Sequence, residues 1–281
     1  MIDWLTRLST IDRRIMYTLL IVLVAWPLIR PPNMPLPITP QVLGIYNAVE
    51  SIPKGKIAIV SMNWDAGTSG ENKWQTLAIV RHLMRRRVPI LFVGLAYPQG
   101  AQFAQDIGES IGGEYNLVYG RDWVNAGYRP NMDNVIKSLR KDIVGTLRTD
   151  NNNRPLEDMP MLRRVRTIRR DVGLIVEVTG SATLQSWIAY VQGVDHVPLA
   201  YAPTSVMLAE GYNFLDAHQI VGMLPGLKGA GEYEELLKRR DFGYTGAGAL
   251  STSHLLVIVL IILGNIGFIL TRRREQEASR V

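Results

Sequence analysis

Cysteine is absent from the 281-residue chain. That excludes disulfides, thiolate metal sites and a cysteine nucleophile, and it suits an oxidising compartment where a stray thiol is a liability. Histidine is nearly as scarce. The four are His82, His196, His218 and His254, and no two stand at i,i+4 or in an H-E-x-x-H pattern, so no metal is expected. Neither G-x-x-x-x-G-K-[ST] nor G-x-G-x-x-G occurs, so a nucleotide site has little support and no cofactor is expected. A G-x-S-x-G nucleophile elbow is missing, its nearest approach being TGSAT at 179–183. No internal repeat is visible.

What the chain has in quantity is apolar sequence, at 47% of residues, and a net charge of +6 gathered in clusters: RHLMRRR (81–87), LRRVRTIRR (162–170) and LKRR (237–240). Such clusters meet polyanions or form solvated helix faces. They lack interleaved aromatics, so nucleic acid is not an expected partner.

Two apolar runs frame the chain. HLLVIVLIILGNIGFIL (254–270) carries no formal charge except on His254, and with its neighbours it reaches the ~20 residues that cross a bilayer. IMYTLLIVLVAWPLI (15–29) is shorter and follows Arg13 and Arg14. A signal peptide is its rival reading, but RPPNMPLPITP after it offers no small-x-small cleavage site, which favours an uncleaved anchor. Arg7, Arg13 and Arg14 before the first run, and Arg272–Arg274 after the second, place both termini in the cytoplasm by the positive-inside rule. The chain then divides into a cytoplasmic start (1–14), a first span (15–29), a Pro-rich spacer (30–56), an extracytoplasmic domain (57–242), a Gly-rich tether (243–251), a second span (252–271) and a basic tail (272–281). The inverted topology, with the domain in the cytosol, is the alternative.

The middle predicts an α/β fold: a mostly parallel, Rossmann-like sheet with flanking helices. Strand candidates are 57–62, 90–96, 172–178 and 197–202, with weaker ones at 115–120 and 219–224. Helix candidates are 72–86, 101–111, 132–147, 182–192 and 229–240. The polar stretch TDNNNRPLEDMP (149–160) separates two apparent halves, and one continuous sheet is preferred because the first half alone has only three strands.

Ligands in such sheets bind beyond the carboxyl ends of the strands. That rule nominates Asn63, Trp64, Asp65, Thr68 and Ser69 after the first strand, Tyr97 and Gln99 after the second, Thr179 and Ser181, and Thr204 as ligand-binding candidates. In the loop NWDAGTSGEN (63–72), Asp65 and Glu71 form a carboxylate pair of the kind used in acid–base chemistry. Ser181 and His218 complete the catalytic candidates. The same loop reads equally well as a turn in which Thr68 or Ser69 caps the following helix. Trp64 and Tyr97 would suit stacking, or would plug the sheet. GMLPGLKGAGEYEELL (222–237) reads as a turn and helix entry, or as an anion cradle with Lys228.

With no complete catalytic motif, the leading expectation is a non-enzymatic subunit of a membrane complex. Its partners are then the lipid bilayer and other proteins of that complex. An anchored enzyme acting on envelope glycan or polymer is the alternative. If the domain is cytosolic, a nucleotide- or anion-binding regulator is the third reading.

Overall fold

The structure, a computed structural model, describes residues 12–31 and 36–278, without the side chains of 273–275, 277 and 278. Arg7, Pro32, Pro35 and the side chains of Arg273 and Arg274, used above for topology and spacer, lie outside the described residues. The chain divides into two compact units: Pro35–Tyr244, and Met1–Met34 with Thr245–Val281.

In the smaller unit, α1 (Arg13–Ile29) is capped by the Asp12 carboxylate, which accepts from Arg14 N at 2.9 Å. Its 17 residues span about 25 Å. Its apolar side chains face outward, Ile21 at 67% and Ile29 at 76% exposure. The last helix, which begins at Phe242 and ends at Ala278, is mostly bare beyond Ala249, with Leu255 62% exposed. Within this unit the Thr252 hydroxyl donates to the Leu23 carbonyl at 2.9 Å, so the two apolar helices touch. Among the described residues, one helix is long and apolar enough to cross a membrane: Phe242–Arg272, with mean hydropathy 2.5.

The larger unit is an α/β fold. Its elements run α2 (Pro40–Glu50), β1 (Ile57–Asn63), α3 (Ser69–Arg85), β2 (Ile90–Gly94), α4 (Pro98–Glu114), β3 (Trp123–Tyr128), α5 (Met132–Lys141), α6 (Ile143–Leu147), α7 (Ile168–Asp171) and β4 (Val172–Thr179). Then come α8 (Leu184–Trp187), a π turn (Ile188–Gln192), α9 (Gly193–Asp195), β5 (Leu199–Pro203), α10 (Leu208–Asp216), β6 (Gly222–Met223), α11 (Gly226–Leu236) and the start of α12 (Phe242–Ala278). The strands form one sheet in the order β3-β2-β1-β4-β5-β6, and all pairs are parallel. Every residue of β1 and β4 is buried, as a strand covered on both faces requires. One apolar cluster joins Val60, Phe92 and Val176 to α2, α3, α4 and α11. The other joins Ile59, Val93 and Ile175 to α5, α6, α8 and the 156–168 segment. Each such buried side chain stabilises by ~1.5–3 kcal/mol.

Several expectations need correction. The 115–120 stretch is a turn, because Asn116 and Gly120 take positive φ and Asp122 holds Val118 N; the third strand starts at Trp123. The helix expected over 132–147 breaks at Asp142, whose extended backbone and side chain cap a new helix at Gly145 N. The spacer contains a full helix, α2, started by Pro40 at its first position.

The Gly-rich stretch 243–251 is not a loose tether but the opening of α12. The Glu234 carboxylate explains it. It accepts from the N–H groups of Asp241 (2.8 Å), Gly243 (3.1 Å) and Tyr244 (2.9 Å), satisfying the donors that a helix start leaves open. Two residues earlier, Glu232 accepts from Thr39 N and Thr39 Oγ1 at 2.9 and 2.6 Å. Two buried glutamates of α11 therefore fasten both ends of the larger unit.

Candidate functional site

The chain winds from β1 outward to β3, returns beside β1 as β4, then winds outward the other way. The reversal falls between β1 and β4, at the pair Asn63 and Thr179. This is where a doubly wound sheet opens a crevice. The residues nominated from the sequence do gather along this carboxyl edge, except His218.

Most of them hold the protein's own backbone. Asn63 is buried; its Oδ1 accepts from Leu95 N and Ala96 N at 2.7 and 3.0 Å, which ties the β1 end to the β2 end. Asp65 Oδ1 accepts from Gly67 N at 2.9 Å, closing its own turn. Gln99 Oε1 accepts from Ala66 N at 3.0 Å, and Ser69 Oγ donates to Ala66 O at 2.8 Å. Glu71 reaches the next loop, where its Oε2 accepts from Ser205 N and Ser205 Oγ, both at 2.7 Å. Asp65 and Glu71 thus serve separate turns.

Thr68 lies over the switch point. A Cβ built on Gly180 would stand 2.5 Å from Thr68 Cγ2, so the glycine makes room for the threonine. Thr68 stands at the cap position of α3 without a side-chain cap bond. Thr179 Oγ1 donates to Asn63 O at 3.1 Å and accepts from Ser181 N at 2.9 Å. Ser181 and Tyr97 are half-buried beside these groups, and Thr204 is buried. Trp64 is fully buried and stacks on Phe103, with centroids 4.4 Å apart and planes at 9°. It closes the sheet end, and it also lines a hollow of about 320 Å³ together with Ala66, Ser69, Lys73, Phe103, Asp106 and Ile107. His218, in the left-handed turn after α10, leads into β6 and so sits at the opposite, amino edge.

The sequence reading passed over the residues that close the crevice. Asn72 Nδ2 approaches Thr179 O and Ala202 O at 3.2 and 3.3 Å. Gln75 Nε2 donates to Pro203 O and Leu224 O, both at 2.8 Å. Two buried amides of α3 therefore satisfy the carbonyls at the ends of β4 and β5 and just beyond β6. On the other sheet face, Glu177 is sealed beneath the switch point. Its Oε1 accepts from Asn63 Nδ2 at 2.7 Å and from the Thr183 hydroxyl, and Trp187 Nε1 donates to Ser61 Oγ at 3.3 Å. Burial pushes the Glu177 carboxyl up to about 7, against the pull of its donors. Among the described residues its second oxygen has no hydrogen-bond partner. A lone glutamate in the apolar strand VGLIVEV was the visible sign of this group.

Among the described residues no group of three or more acidic or histidine side chains is placed to hold a metal ion. The site's chemistry is that of a closed polar seam under self-capped loops.

No protein-family model matches this chain, and no curated protein matches it. Among solved structures, the N-terminal domain of Candida albicans trehalose-6-phosphate phosphatase aligns with 84% of this chain and 48% of its own, at 12% identity and a TM-score of 0.33. The chain spans about half the length of that structure, and a likeness at this score carries no argument.

Proposed function

We propose that this chain is a two-span membrane protein whose α/β domain docks a protein partner as a subunit of a membrane complex, without turning over a substrate. Both termini lie in the cytoplasm in this reading, and the domain stands on the other side. The observation that carries the reading is the occupancy of the switch point. Asn72 and Gln75 take up the strand-end carbonyls, and Glu71 takes up Ser205. Most polar groups of the switch point are thus engaged within the fold; among the described residues Trp64 Nε1, Asn72 Oδ1 and Thr204 Oγ1 are the buried atoms there, besides Glu177 Oε2, that have no partner. The exposed apolar faces of α1 and α12, and the Thr252–Leu23 contact between them, support a paired anchor. The test is extraction of the tagged full chain in mild detergent after cross-linking in intact cells. Stoichiometric protein partners are the expected result. A partner-free monomer, with a cellular phenotype lost on Asp65→Asn or Glu71→Gln, would replace this reading with the envelope-enzyme one.

A further inference from the structure

Because every strand is parallel, every strand begins at one edge of the sheet. Cations collect there. Lys54 precedes β1, Arg87 precedes β2, Arg121 precedes β3, and Arg163, Arg164 and Arg169 precede β4. The order β3-β2-β1-β4 sets these approaches side by side. With neighbouring strands ~4.8 Å apart, the band is roughly 15 Å wide. The register confirms the closeness: Ile90 N donates to Asp122 O at 3.1 Å, and Ala58 N donates to Pro89 O at 2.9 Å.

Local carboxylates neutralise only part of the band. Asp122 holds Arg121 and Asp171 holds Arg170, each at 2.8 Å. Lys54, Arg87, Arg163, Arg164 and Arg169 are exposed and stand in no salt bridge among the described residues. The dipole of α3 accounts for a cation such as Arg87 beside its end. It does not account for Arg163 and Arg164, which lie in a loop after a single 3-10 turn. Around that loop Leu162, Val165 and Ile168 are buried at 0%, 4% and 0% exposure, and Ile143 N donates to Arg166 O at 2.8 Å. The backbone is pinned and the arginines between the anchors project outward.

We propose that this amino edge is a docking surface for the acidic face of a partner protein. The inference rests on the partner reading above and assigns its contact to one edge. Carboxylates match the planar guanidinium fork, and Arg is enriched where protein interfaces form while Lys is depleted. Between 163 and 170 there are five arginines and no lysine. Attraction to a lipid surface is served equally by Lys and needs no pinned backbone. Fixing the side chains' base in advance also lowers the entropy lost on docking.

The full chain, held in phosphatidylcholine nanodiscs, is titrated with poly-L-glutamate as an acidic polypeptide. A second arm uses phosphatidylglycerol vesicles. Binding to poly-L-glutamate should weaken as salt rises. Arg163→Gln with Arg164→Gln and Arg169→Gln should weaken it at least tenfold. A control with the same change in net charge, Asn134→Asp with Ala209→Glu and Asn213→Asp, should stay within twofold of wild type. Equal losses in the two variants would overturn the proposal, since the attraction would then be overall charge. Patch-dependent binding to the vesicles and none to poly-L-glutamate would overturn it in favour of a membrane surface. Either failure leaves the co-purification result standing, and moves the partner's contact elsewhere. Absence of co-purifying partners would instead remove the partner reading itself.

Discussion

Replacing Glu177 with Gln tests whether the seam beneath the switch point holds a proton. The carboxyl is sealed from solvent and raised from an ordinary value of 4.5 to about 7. Between about pH 4.5 and 7 the folded protein therefore keeps a proton there that the unfolded chain has released. Stability from this group is fully present below pH 4.5 and is lost as pH rises through about 7. The window covers about 2.5 pH units, and at about 1.36 kcal/mol each it is worth roughly 3 kcal/mol. For a domain of this size that is a fall in Tm of roughly 6–12 °C. The Gln variant keeps the side-chain shape and cannot titrate. Thermal unfolding of full chain and variant in detergent, followed by tryptophan fluorescence at pH 5 and pH 8, gives the difference directly. Other groups cancel in that difference, among them His82, which burial lowers, and Glu234, which burial raises to about 7. Wild type should lose more stability than Glu177→Gln on going to pH 8. Equal losses would refute the buried neutral acid.

Three further outcomes follow from the same contacts. Gly100→Ala places a Cβ 2.0 Å from the Met62 carbonyl oxygen, a backbone clash between α4 and β1; it should cost ~1–3 kcal/mol or more in denaturant unfolding. Glu234→Ala removes the acceptor for three N–H groups at the start of α12; hydrogen exchange at Gly243 and Tyr244 should speed by about tenfold, the equivalent of ~1–2 kcal/mol of capping. Glu71→Gln should cost about 1 kcal/mol, because Ser205 keeps a weaker, neutral acceptor; cross-linking to partners should be unchanged.

The sheet was legible because apolar strand runs such as IAIVSM and VGLIVEV are covered on both faces, a pattern that needs no tertiary information. The WVNAGY strand was not, since it carries Asn125 and Gly127 in a run too polar to mark it. Asn125 is there because its amide donates to Ala101 O at 2.8 Å, a bond across 24 positions that no local window contains. In α3 the apolar Ala78, Val80, Leu83 and Met84 are buried, but so are the polar Asn72 and Gln75, held by backbone carbonyls far along the chain that no local window contains. The edge on which a site would lie followed from strand direction alone. That its loops close on one another required Glu71 to find Ser205, 134 residues away.

The partner reading depends first on an anchored domain that stands outside the cytoplasm. A chain without cysteine lets this be measured directly. One cysteine is placed at exposed Ser110 in the α/β domain, and another, in a separate variant, is appended after Val281. Intact cells are treated with a membrane-impermeant maleimide. Labelling at position 110 without permeabilisation, and at the appended cysteine only after it, is the predicted result. Labelling of position 110 only after permeabilisation would contradict the external domain and, with it, the proposed docking role in a complex at that face.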